Sequence, residues 1–118
     1  GGDASIHYLQ SYWKLAPDEA LVVHAPKIPN CKTWNFQLSN YWMESLDYRY
    51  YKISVNQHTA SYNDDGSVTV VVAHQDPGEK YPNWLHTTGH DQGGNLWRWV
   101  EADEHPPVHC KVVKFADL

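Results

Sequence analysis

Eight histidines are many for 118 residues, and several gather in one stretch of the sequence. His74 is followed by Asp76-Pro77-Gly78, and His86 and His90 lie four residues apart with Asp91 beside them. His58 follows Asn56 closely. Three imidazoles and a carboxylate, taken as His58, His74, Asp76 and His90, are the donor types of an open tetrahedral site that activates water for hydrolysis. The spacing does not select that chemistry. His86 and His90 share a helix face only if the segment is helical, and Gly89 opposes that. The chain has no H-E-x-x-H, no paired cysteines and no Asp-rich calcium loop. Histidines at strand ends are more often structural hydrogen-bonding groups, so no cofactor is expected and a divalent metal is the lesser reading.

Nucleophilic chemistry has no better footing. There is no G-x-S-x-G, and nothing beside Cys31 or Cys110 would lower a thiol pKa. Glu44, Asp47, Asp76 and Asp103 are carboxylates of unfixed separation, so paired-carboxylate hydrolysis is not specified. Asp64-Asp65 reads as a turn and Asp103-Glu104 as a solvated loop.

The third chemistry is binding. Six Trp and eight Tyr stand against two Phe and one Met. Trp42, Tyr48, Tyr50, Tyr51, Tyr81 and Trp84 fall in or beside expected loops, interleaved with Asn40, Asn56 and Asn83. Rings beside amides and carboxylates suit a carbohydrate-like or other small polar ligand with one flat apolar face. The competing explanation is that a small β domain uses rings to plug its core. The expected ligand set is therefore Trp42, Asn56, His58, His74, Asp76, Asn83, Trp84 and His90. Arg98, flanked by Trp97 and Trp99, is expected to anchor a carboxylate such as Asp76 or Asp103.

The elements that must position these groups are strands. Trp34, Phe36 and Leu38 alternate with Asn35, Gln37 and Ser39, the period of a strand with one buried face. Asn63-Asp64-Asp65-Gly66 is turn chemistry within a hairpin expected over Tyr62–His74, with Gly66 at a positive φ. The run Val68–Ala73, β-branched on both faces, reads as a central strand covered on both sides. Further strands are expected at Leu21–Val23, Leu96–Val100 and Val108–Phe115, and Tyr8–Leu15 leans to strand. Asn40–Leu46 could hold one short helical turn. Asp76–Gly94 reads as a long loop, and loops of that length are usually functional or mobile.

About six short strands divided by Pro, Gly and Asn describe a single all-β domain over residues 1–118, a sandwich or small barrel with little helix. A net charge of −5 with scattered Lys and Arg argues against nucleic acid. No stretch approaches the length of an apolar membrane span. A soluble, cytoplasmic protein with two unpaired thiols is the favoured reading. Gly1-Gly2 in place of Met reads as an added or trimmed end, so a preceding segment is open.

Several segments in order resemble the family called domain of unknown function 1214. They are Trp34-Asn35-Phe36-Gln37-Leu38, Tyr41 to Arg49, Asn63-Asp64-Asp65-Gly66-Ser67, His74-Gln75-Asp76-Pro77-Gly78, Asn83-Trp84-Leu85 and Arg98-Trp99. The resemblance runs from about Tyr8 to Phe115, with Glu79–Pro82 longer than the pattern. It implies an antiparallel β-sandwich of jelly-roll character, often C-terminal to a second domain, and brings no reaction and no catalytic residues. A lost N-terminal neighbour, a protein partner or a homo-oligomer would each be compatible with such a domain.

Overall fold

The computed structural model describes residues 6–39 and 54–118, and eight strands and one 3-10 turn lie within them. The strands are β1 (Ile6–Lys14), β2 (Glu19–Ala25), β3 (Thr33–Ser39), β4 (Ser54–Asn56), β5 (Val68–Ala73), β6 (Trp84–His86), β7 (Gln92–Val100) and β8 (His109–Lys114). Phe115–Asp117 form the 3-10 turn. One sheet has the order β1-β7-β3-β4 and the other β6-β5-β2-β8, and their inner faces bury one shared core. The expected sandwich is present. One pair departs from an all-antiparallel arrangement, because β6 runs parallel to β5.

Alternation sets the inner faces. Trp34, Phe36 and Leu38 of β3 point inward, as do Trp97 and Trp99 of β7, and all five are buried. Trp34 stacks on Trp97 with ring centroids 4.8 Å apart, and Phe36 and Trp99 flank Trp97. Each such ring pair adds about 0.5–1.5 kcal/mol to the burial of the rings themselves. Opposite them stand Leu21, Val23 and Ala25 of β2 and Val68, Val70 and Val72 of β5.

The valine strand is central, between β6 and β2. Its outer residues Val71 and Ala73 join Ala20 in a second small cluster, covered by Tyr81, Trp84, Phe115 and Leu118. Both faces are therefore covered, which is why neither alternates with polar residues.

Three expectations need correction. The Asn63–Gly66 turn forms, with Gly66 at φ 84° and its N–H donating to Asn63 O at 2.9 Å, but residues 57–62 leading into it form no strand. β5 pairs with β2 and β6, so the turn enters the sheet without making a hairpin. Asp76–Gly94 is not one loop: β6 falls within it, and β7 begins at Gln92. Leu85 drives that change by filling a fully buried position in the core. Arg98 lies on the outward face of its sheet, where its Nη1 donates to Asn35 Oδ1 at 3.1 Å and its guanidinium stands 5.7 Å from the Tyr8 ring. Among the described residues no ion pair joins it to Asp76 or Asp103; Asn35 and Tyr8 are the groups it meets. The helical turn expected at 40–46 falls outside the described residues.

The early part of β7 shows how close the strands come. A Cβ on Gly93 would meet the Ser39 carbonyl oxygen and, at 2.9 Å, the Trp13 ring. Trp13 covers this glycine pair and donates from Nε1 to Gly94 O at 2.9 Å.

Candidate functional site

β1 and β8 are edge strands of opposite sheets, and the sandwich does not close between them. Cys110 and Val112 follow the inward parity of Val23 and Leu21 in the β2–β8 register, yet both are exposed. Between the two edges lies a cavity of about 590 Å³, within the usual range for small-molecule sites. Leu9, Val23, Phe36 and Trp97 supply its apolar floor, and Pro107 and Val108 of the β7–β8 connection form part of its wall. Beyond the residues that line it, His7 stacks on His105 with centroids 4.1 Å apart, bridging β1 to the β7–β8 connection.

The polar groups of this cavity are few and ordered. Ser11 donates its hydroxyl to Asn95 Oδ1 at 2.6 Å, and the Cys110 thiol lies within hydrogen-bond reach of Ser11. Partial burial of its sulfur pushes the Cys110 thiol up, although the residue as a whole is exposed, and Ser11 opposes the shift. Asn95 Nδ2 and Trp97 Nε1 are buried without a hydrogen-bond partner. Among the described residues, no Lys, Arg, His, Asp or Glu lines the cavity.

The expected ligand residues are placed elsewhere, at two ends of the sandwich. At one end, Asn83 is 3% exposed: Oδ1 accepts from Ser61 N at 2.8 Å, and Nδ2 donates to Ser61 O at 2.7 Å and Thr69 O at 3.0 Å. Asn56 ends β4 and accepts at Oδ1 from the N–H groups of His58 and Thr59, an Asx-type turn. His58 is exposed on that turn.

At the other end, His74 Nδ1 lies 2.7 Å from the buried Thr87 Oγ1, and its Nε2 is buried without a partner. His74 and His90 do meet, with Asp91 and Leu15, in a cleft of about 260 Å³. Thr88 and Gly89 take positive φ of 54° and 86° in the turn that forms its rim. His86 accepts from Thr88 N at 2.8 Å, and burial, then the nearby His74, lowers its pKa. Asp76 and Trp84 line a separate cleft of about 300 Å³ with Tyr81. Asp76 Oδ1 accepts from Gly78 N, and Trp84 Nε1 donates to Ala73 O.

The suggested metal set is thus divided, with His58 at one end and His74 and His90 at the other. Among the described residues, no three His, Cys, Asp or Glu side chains gather in a metal-holding group. Trp42, with Tyr48, Tyr50 and Tyr51, lies outside the described residues. Cys31 and Cys110 are both unpaired; burial, then Asp103, raises the Cys31 thiol.

Ser11, Asn95 and Cys110 were not expected as site residues. One signal was present: Asn95 continues the inward alternation of Trp97 and Trp99, a polar residue on an apolar face. A strand expected over Leu96–Val100 leaves Asn95 outside it, whereas β7 begins at Gln92. Ser11 and Cys110 carry no local signal, since only the meeting of two sheet edges brings them together.

A family model described as a protein of unknown function (DUF1214) matches residues 13–103. A crystal structure of an uncharacterised protein from Burkholderia cenocepacia is similar at 52% identity and TM-score 0.95, covering 100% of this chain and 32% of that one. A crystal structure from Vibrio parahaemolyticus is similar at 20% identity and TM-score 0.73, covering 93% of this chain and 31% of that one, a likeness of fold alone. The chain therefore spans about a third of each of these solved proteins. No curated protein matches.

Proposed function

From the premise that this chain belongs to the DUF1214 family of proteins of unknown function, we propose that it is a binding domain for a small molecule held between its two sheets. The observation that carries this reading is the cavity of about 590 Å³ opening between β1 and β8. Its floor is rigid, because Phe36 and Trp97 are fully buried and packed in the stacked ring cluster. A mostly apolar pocket with a few convergent polar groups is the usual form of a small-molecule site. The separation of His58 from His74 and His90 gives the metal-assisted hydrolase reading no comparable support.

The test is titration with N-phenyl-1-naphthylamine, an uncharged dye that brightens in apolar surroundings. Saturable, blue-shifted emission with energy transfer from tryptophan is expected, and Val108→Trp, which places a ring in the cavity wall, should abolish it. Absence of saturable binding, or equal binding by a folded Val108→Trp variant, overturns the reading.

A further inference from the structure

The segment Asp76–Pro82 and the edge strand β6 build a second cleft, whose chemistry differs from that of the inter-sheet cavity. Leu85 points into the core, so its neighbour Trp84 faces outward, where it packs against the small cluster of Ala20, Val71 and Ala73. Trp84 Nε1 donates to Ala73 O at 3.2 Å, which fixes the ring against the sheet. Asp76 Oδ1 accepts from Gly78 N at 2.8 Å, and Tyr81 N donates to Gly78 O at 3.1 Å. These two turns, with Gly78 at φ 99°, bring Asp76, Glu79 and Tyr81 round to Trp84 in the cleft of about 300 Å³. Asp76 and Glu79 are exposed and the two aromatic residues half-buried, so the groups that line the cleft are open to a ligand.

These groups favour positive charge. Ring faces carry the negative part of a quadrupole, and the same cleft holds two carboxylates. The donors recorded in its wall are used within the protein: Gly78 N by Asp76, Tyr81 N by Gly78 and Trp84 Nε1 by Ala73. What the cleft offers is acceptor oxygens beside π faces, the combination that holds an organic cation. One cation is already drawn there, since Lys80 Nζ lies 5.5 Å from the centroid of the Tyr81 ring, inside the ~6 Å reach of a cation–π contact. Lys80 is exposed, and a primary ammonium is strongly hydrated, so it gives way to a cation that holds water less tightly. A metal ion is a poorer match: among the described residues no three His, Cys, Asp or Glu side chains gather to hold one.

We infer that this cleft binds a small alkylated ammonium ion of the choline type, with its methyl groups on Trp84 and Tyr81 and its charge against Asp76 and Glu79. The site is separate from the inter-sheet cavity and does not depend on it.

Choline and neohexyl alcohol, its uncharged carbon isostere, share a shape and differ in charge. Each is titrated into isotope-labelled protein while the Trp84 indole N–H resonance is followed; the loss of that resonance in Trp84→Phe identifies it. Choline should shift it saturably at about tenfold lower concentration than the alcohol. Asp76→Asn keeps an acceptor for Gly78 N, so together with Glu79→Gln it removes the charge and leaves the turn, and the preference for choline should vanish. Lys80→Met, which removes the competing ammonium, should tighten choline and leave the alcohol unmoved. Choline should not displace N-phenyl-1-naphthylamine, and vesicles of phosphatidylcholine, which carry the same head group on a lipid, should not sediment the protein. Equal affinity for the two ligands, an unmoved Trp84 resonance, a preference that outlasts both carboxylate substitutions, or weaker choline binding by Lys80→Met overturns the inference. Displacement of the dye moves choline to the inter-sheet cavity, and sedimentation with the vesicles moves the head group to a lipid; either result overturns it too.

Discussion

Ser11 and Asn95 stand directly opposite one another in the β1–β7 register, and the Ser11 hydroxyl donates to Asn95 Oδ1 at 2.6 Å. This one bond ties an edge strand to the polar group in the cavity wall. Ser11→Ala leaves Oδ1 as unpaired as Nδ2 already is. We expect a loss of about 1–2 kcal/mol of stability, read as a lower urea midpoint with an unchanged slope. A Ser11→Thr variant, which keeps the hydroxyl, should recover most of it.

Asn83 presents a different case, because each hydrogen bond recorded for its side chain goes to the backbone of the same chain. It joins the segment before β5 to the start of β6 and is buried while doing so. Asn83→Ala strips partners from Ser61 and Thr69, and a loss of about 2–3 kcal/mol is expected. Asn83→Asp keeps the acceptor but sets a carboxylate against two carbonyl oxygens, so it should cost at least as much at pH 7. Urea denaturation of the two variants checks both statements. Dye binding in the folded fraction should be unchanged, since Asn83 is not part of the inter-sheet cavity wall.

The pH dependence follows from His86. Burial, then His74, lowers its pKa from the usual 6.5, so the folded protein holds this ring neutral. Between the folded and unfolded values the unfolded chain binds more protons, and stability therefore rises with pH there. Stability should fall as pH drops below about 6.5 and level off once pH passes below the folded value. Protonation would also remove the acceptor that Thr88 N uses. His86→Asn retains a nearby acceptor without a titrating group. Urea midpoints between pH 7.5 and 5 should show a flatter dependence for His86→Asn than for the parent chain.

Much of the fold was legible because strand alternation is a local property. Trp34, Phe36 and Leu38 declared an inward face, and Val68–Ala73 declared a strand covered twice; both are found. Asn63–Gly66 was recognisable as a turn, since the positive φ of Gly66 is a matter of its own backbone. The hairpin failed because pairing is not local: the partners of β5 come from Glu19–Ala25 and Trp84–His86. β6 was hidden in an expected loop because three residues are too few to show a period.

The candidate site was less legible than the fold. Histidines and loop aromatics drew attention to His58, His74, Asp76, Trp84 and His90, which the tertiary structure distributes over separate clefts and turns. By itself the sequence determined an all-β chain, its inward-facing rings and its central valine strand, because those follow from side-chain type and a period of two. Only the tertiary structure decided that β1 and β8 would be unclosed edges of opposite sheets, with Ser11, Asn95 and Cys110 meeting between them. The reason is physical: a cavity is made by the distance between elements far apart in sequence, and no local pattern encodes that distance.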